Sequence, residues 1–146
     1  DGHNEVVRML VSREDVDINL VNSMNHTPLR VAAHNGHYEC MRLLLGRADV
    51  NVNLQDEDGN SPLKCAADRG RVEAVRILLA REDVNINLAN NSNGTPLQSA
   101  AYSGKFEVVK MLMERKNVEV NVQDCKGRGR VEAVRILLAR EDVNIN

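Results

Sequence analysis

The sequence predicts a mainly α solenoid, an array of stacked helix–turn–helix units linked by β-hairpin fingers. Three observations lead there. The triplets Thr27-Pro28-Leu29, Ser61-Pro62-Leu63 and Thr95-Pro96-Leu97 recur in steps of 34 residues, and they contain every proline of the chain. The pairs Ala32-Ala33, Ala66-Ala67 and Ala100-Ala101 keep the same step, as do Gly2, Gly36, Gly70 and Gly104 and the asparagines Asn19, Asn53, Asn87 and Asn121. A fixed period of this length is the mark of a repeat array whose units bury their apolar faces only against each other.

Each element of one unit follows from its residues. The hydroxyl of Thr27 is placed to cap free backbone N–H groups, and Pro28 falls at the first helical position, where a missing N–H costs nothing. A first helix therefore starts there and runs about two turns to Gly36, a residue free to adopt the left-handed backbone that ends a helix. The small Ala32-Ala33 pair lets a neighbouring helix approach closely. A second helix follows, with Cys40, Met41, Leu43, Leu44 and Leu45 at amphipathic spacing and Glu39 and Arg42 on the other side. The stretch Val50-Asn51-Val52-Asn53-Leu54 alternates with period two, so it reads as one arm of a β-hairpin finger running through Asp56 to Asn60. Gly59 is matched one period away by Asn25 and Asn93, and Asn is the other residue that tolerates a left-handed turn.

The periodicity divides the single domain into a half unit at 1–21, full units at 22–55, 56–89 and 90–123, and a truncated unit at 124–146. The last is truncated because residues 128–146 are identical to residues 69–87, an offset of 59 where two periods would give 68. The counterpart of Asn60 to Asp68 is missing, and with it a first helix. Val131, Val134, Ile136, Leu137 and Leu138 then lack a cover, as do Val6, Val7, Met9 and Leu10 at the other end, so exposed edges that self-associate or fray are expected. Opening at Asp1 in mid-unit, the sequence reads as a piece of a longer or processed chain.

These residues resemble the ankyrin-repeat family. The resemblance covers nearly the whole chain and rests on T-P-L, the Ala-Ala pair, the G-H-x-E-V-V-R-x-L-L pattern seen from Gly2 to Leu10, and D-V-N. The family usually has His after T-P-L, where this chain has Arg30, Lys64 and Gln98, and its more common period is 33. Membership implies a concave surface of fingers and first helices that binds a partner protein. Carried onto this chain, that surface comprises Met24, His26, Arg30, His34, Glu57, Asp58, Asn60, Lys64, Asp68, Arg69, Asn91, Ser92, Gln98 and Tyr102. Arg30 and Tyr102 are the expected anchors, since Arg and Tyr are enriched among residues that dominate interface energy.

Other chemistry finds little footing. The chain carries 19 Lys+Arg against 21 Asp+Glu, a formal net charge of −2, which suits neither a polybasic nucleic-acid binder nor an acidic tail. The basic run Lys126-Gly127-Arg128-Gly129-Arg130 is the one segment that points to nucleic acid or to an import signal. At 42% apolar and 27% charged residues the composition is globular, but aromatics reach only 2%, so the core must be aliphatic. No stretch approaches the roughly 18 consecutive apolar residues of a membrane span. Cys40, Cys65 and Cys125 are odd in number and contain no C-x-x-C pair, which favours an intracellular, reduced protein over a disulfide framework or a zinc site. His26, His34 and His37 lack ligand spacing, and no nucleophile set or phosphate loop is present. The expectation is therefore a non-enzyme without cofactor, metal or small-molecule substrate. Three N-x-[ST] triplets, at Asn25, Asn90 and Asn93, are by-products of Asn-rich turns placed before a capping hydroxyl. Glu5, Glu39, Glu73 and Glu107, each followed three residues on by Arg or Lys, read as pairs along exposed helix turns. The alternative to a binding module is a structural or targeting arm for a catalytic or channel domain elsewhere in a longer chain.

Overall fold

The computed structural model describes residues 2–120. The truncated unit at 124–146, the basic run at 126–130, Cys125 and Asn121 lie outside the described residues. Helix α1 (Gly2–Val11) opens the array. The first helices of the units are α2 (Pro28–Asn35), α4 (Pro62–Asp68) and α6 (Pro96–Tyr102), and the second helices are α3 (Tyr38–Leu45), α5 (Val72–Leu79) and α7 (Phe106–Met113). First helices pack on first helices, α2 on α4 and α4 on α6. The series α1, α3, α5 and α7 forms the second layer.

The capping expected from the triplets is present in every unit. The hydroxyls of Thr27, Ser61 and Thr95 accept hydrogen bonds from the backbone N–H groups of Arg30 (3.1 Å), Lys64 (3.2 Å) and Gln98 (3.3 Å), with Pro following as the first helical residue. Each cap is buried, so these bonds are shielded from water. Gly36, Gly70 and Gly104 end the turn between helices at φ of 77°, 65° and 65°.

The core repeats with the sequence. Leu29, Leu63 and Leu97 are buried, as are the alanine pairs beside them; Met41, Val75 and Val109, and Leu44, Leu78 and Leu112, come from the second helices. Alanines at the crossing of α2, α4 and α6 let the backbones approach, and the leucines fill the space between layers. At the open side of α2, away from α4, this pattern has no partner. Val6, Met9, Leu10, Leu20, Val21, Met24 and Val31 are exposed at this end, and Leu20, Val21 and Val31 line, with Val7 and Cys40, an apolar groove of about 600 Å³ between α1, α2 and α3.

The β-hairpin fingers are corrected by the structure, which has no strand among the described residues. The alternation at 50–54 is real, since Val50 and Val52 are buried and Asn51 is exposed, but it belongs to a series of turns. What holds these turns is a ladder of asparagines between units. The Asn19 amide donates to the Asp49 carbonyl (2.8 Å) while its oxygen accepts from the Asn51 N–H (2.7 Å). Asn53 does the same to Asp83 and Asn85 (both 2.8 Å), and Asn87 to Asn117 (2.7 Å) and Glu119 (2.8 Å). One side chain thus satisfies both a donor and an acceptor of the next unit's backbone, bonds that a paired strand would otherwise supply.

Arginines form a second link. Arg47 pairs with Asp49 and donates to the carbonyls of Val11 (3.3 Å) and Arg13 (2.6 Å), just past the end of the previous second helix. Arg81 pairs with Asp83 and donates to the Leu45 carbonyl (3.1 Å). A cation at the carbonyl end of a helix meets both unsatisfied acceptors and the negative end of the dipole.

Replacing Asn53 with Ala breaks two bonds between units and is expected to lower the unfolding free energy by about 1–3 kcal/mol. Urea denaturation followed by circular dichroism measures this, and a loss no larger than that of an exposed Lys116→Ala control would refute the ladder.

Candidate functional site

The finger tips are built by one side chain at a fixed place in each unit. The Oδ1 atoms of Asn22, Asp56 and Asn90 each accept from two backbone N–H groups of their own turn. Asn22 takes Met24 (3.0 Å) and His26 (2.9 Å), Asp56 takes Asp58 (3.1 Å) and Asn60 (2.8 Å), and Asn90 takes Ser92 (3.1 Å) and Gly94 (2.8 Å). Backbone bonds from 22 to 26, 56 to 60 and 90 to 94 close the turns at 3.2, 3.1 and 3.0 Å. As expected, Asn25, Gly59 and Asn93 supply the left-handed residue, at φ of 55°, 78° and 58°.

The second and third fingers are joined. The Asn91 N–H donates to the Asp58 carbonyl (3.0 Å), and the Asn91 amide donates to that of Glu57 (2.8 Å). Gln55 reaches the carbonyls of Gly59 and Ala89. A Cβ on Gly59 would stand 2.5 Å from Asn91 Oδ1 and 2.7 Å from Asn91 N, so the close crossing needs glycine. The first finger is tied to the second differently, through Arg30. Its guanidinium bonds Asp56 Oδ2 through Nε (3.1 Å) and Nη2 (2.7 Å), and His26 Nε2 lies 4.0 Å from the same oxygen. Only 2% of the Asp56 side chain and 14% of the Arg30 side chain is exposed, so this pair is a buried strut.

The expected surface is therefore unevenly available. Met24, Glu57, Asp58, Asp68, Arg69, Ser92 and Tyr102 face solvent, with Tyr102 73% exposed. His26, His34 and Lys64 are half-buried. Four of the named residues hold the fold instead. Arg30, expected as an anchor, is committed to Asp56, because the next unit's finger places a carboxylate under it. Asn60 Oδ1 accepts from the Asn90 amide (3.1 Å), and Asn91 clasps Glu57. Gln98 is buried and completes a capping box, accepting from the Thr95 N–H (2.9 Å). The glutamate–arginine pairs also connect units. Glu73 meets Arg76 on its own helix at 3.3 Å, but its shorter bond, 2.7 Å, is to Arg42 of the preceding unit, and Arg8 lies 3.6 Å from Glu39.

Titration follows burial and charge. Burial pushes the Asp56 carboxyl up, but the Asn60 N–H and the Arg30 guanidinium outweigh it and hold the group below its ordinary value. Burial lowers His34, assisted by Arg69, Arg30 and Arg71 and opposed by Asp68. Burial also lowers Lys64 and raises the Cys65 thiol, which stays protonated and unreactive. Among the described residues no three His, Cys, Asp or Glu side chains converge as metal ligands do, and no helix is long and apolar enough to cross a membrane.

With finger, helix pair and ladder in place, comparison with known families is decisive. The family model for ankyrin repeats, described as three copies, matches residues 1–56 and 47–124. The chain belongs to the ankyrin-repeat family. No curated protein matches it. The three Ser/Thr-Pro-Leu triplets are followed here by Arg30, Lys64 and Gln98. Arg30 still makes a link between units, Gln98 turns back on its own cap, and Lys64 faces an amide, Asn90, at the place where Arg30 finds Asp56. Sequence reasoning missed the roles of Asn22, Asp56 and Asn90, though their 34-residue step was available as a signal.

Arg30→Ala leaves the Asp56 carboxylate buried and unpaired and is expected to lower stability by about 3 kcal/mol. Because the Asp56 value is depressed in the fold, its contribution is complete above about pH 3.9 and is lost as pH falls through the folded value. Removing Arg30 moves that loss to higher pH, which acid unfolding monitored by circular dichroism will show. An unchanged acid midpoint would exclude the strut.

Proposed function

We propose that this chain is a non-catalytic protein-interaction module that binds a partner across its fingers and first helices. Members of the family are generally protein–protein interaction modules. The observation that carries the reading here is the contrast between frame and tips. Caps, ladder and alanine pairs repeat from unit to unit, whereas the solvent-facing positions change completely: Met24, then Glu57 and Asp58, then Ser92. Tyr102, an exposed aromatic with a polar tip, is the side chain best suited to anchor a partner. The sequence offers no nucleophile set, in keeping with a non-enzymatic role, and its three cysteines without a C-x-x-C pair suit an intracellular one. A structural arm for another domain uses the same frame without the varied tips, so those tips favour binding.

A pull-down from cell lysate with the whole chain, beside an Asp68→Ala, Tyr102→Ala double variant, tests this reading. The expected result is a protein recovered with the wild type and lost with the variant, both folding alike by circular dichroism. Equal recovery would remove the concave strip from consideration. Arg30 is left intact because its loss would weaken the fold together with the surface.

A second reading draws on the apolar edge at Val6, Met9, Leu10, Leu20, Val21 and Met24, which favours self-association. Sedimentation equilibrium is expected to show a concentration-dependent rise in mass that Met9→Ser with Leu20→Ser reduces. A strictly monomeric wild type would rule it out.

A further inference from the structure

At the edge of the concave surface where first helices end and second helices begin, the charges do not cancel. Arg69 follows α4 and is exposed, and Arg71 and Lys105 precede α5 and α7 at matching places one unit apart. None of these cations has a carboxylate within ion-pair distance among the described residues, although the chain as a whole carries a net charge of −2. Arg71 donates through Nε to the His34 carbonyl (3.2 Å), and its terminal nitrogens have no partner among the described residues. Asp68 is the nearby carboxylate, and it accepts from the Ser103 hydroxyl (2.7 Å).

Both second-helix cations are held in place by the turn below them. The Arg71 chain lies across Gly36, with Cδ 3.3 Å from where a Cβ would stand, and Lys105 lies across Gly70, with Cδ at 2.8 Å. The left-handed glycines thus give each aliphatic stem a seat, and ordering the stem in advance lowers the cost of binding an anion. Burial is the main reason that His34 holds a proton less readily, and Arg69, Arg30 and Arg71 add to it while Asp68 opposes them.

We propose that Arg69, Arg71 and Lys105 form a binding edge for an extended acidic peptide segment of the partner protein. The proposal rests on the concave surface being a protein-binding one and names the chemistry of its partner. Stacked units stand about 8–10 Å apart, and an extended chain in the polyproline-II form advances about 3.1 Å per residue with three residues per turn, so every third side chain returns to the same face. Carboxylates about three residues apart in the partner therefore meet Arg71 and Lys105 together. Arg71 receives one of them as a fork, and Lys105 the other as a point charge. A nucleic acid or an anionic membrane fits less well. Glu57 and Asp58 at the exposed second finger and Asp68 at the edge repel a uniformly charged polymer or surface.

The test is fluorescence anisotropy with the full chain and a labelled Gly/Ser peptide carrying glutamates three residues apart. A peptide of the same composition with adjacent glutamates, a single-stranded DNA oligonucleotide and phosphatidylserine vesicles are run beside it. The spaced peptide is expected to bind best, weakening with added salt and by about tenfold for each of Arg71→Glu and Lys105→Glu. Arg71→Gln and Lys105→Gln, which keep a stem over the glycine, repeat the test if the reversals lower the melting temperature. Equal binding of both peptides, indifference to these substitutions, or tighter binding of DNA or vesicles overturns the proposal. A lysate partner that needs Tyr102 but is indifferent to Arg71 and Lys105 overturns it while leaving the wider binding role standing.

Discussion

Every unit of this array presents a length of non-helical backbone to its neighbour, and those polar groups must be satisfied at a junction too thin to hold its own secondary structure. Asparagines 19, 53 and 87 meet that requirement with one amide each, donating to one residue of the next unit and accepting from another two positions on. The remaining geometry follows from this bond pair. It fixes how far one unit sits from the next, and hence how the alanines of α2, α4 and α6 meet and where the next finger falls. Hydrophobic burial supplies the larger share of the free energy, but burial is non-directional, and the ladder gives the stack its register.

Register, in turn, decides which side chains are left for a partner. Asp56 lands under Arg30 and closes a pair with almost no exposed surface, so a residue type that often anchors interfaces becomes internal. One unit later Asn90 replaces the carboxylate and turns its amide to Asn60, and Lys64 stays half-buried without an ion pair. Two adjacent, homologous positions thus take opposite roles because of a single carboxylate-to-amide difference across the junction. The same logic separates Glu57 and Asp58, whose carbonyls are clasped by Asn91 while their side chains remain in water, from Asn91 itself.

Within a unit, sequence and structure agree closely. Pro at 28, 62 and 96 with a hydroxyl before it marks helix starts to the residue, and Gly59 with Asn25 and Asn93 marks the left-handed turns, because each signal acts over only a few residues of chain. Disagreement begins where a side chain's destination lies in the next unit. The period-two stretch at 50–54 reads as a strand when its neighbours are unknown, since alternate burial is all that a sequence displays; the asparagine ladder that takes its backbone bonds is about 30 residues away. Arg30 and Asn60 look available for the same reason. Glu73 likewise looks like the partner of Arg76, and no local rule reveals that Arg42 comes closer. The positions of these residues in the period were legible, and their partners required the stack.

The bonds between units span a narrow range of chain separations, from 26 residues for Arg30 with Asp56 to 37 for Arg71 with the His34 carbonyl. None skips a unit. The array therefore has a reading frame in three dimensions. An insertion or deletion of 34 residues would hand each ladder asparagine an equivalent neighbour, whereas one of any other length in the middle of a unit would misdirect ladder, strut and clasp together. For such a chain, changes of length are graver than most changes of residue, and growth or shrinkage by whole units is the path that leaves the frame intact.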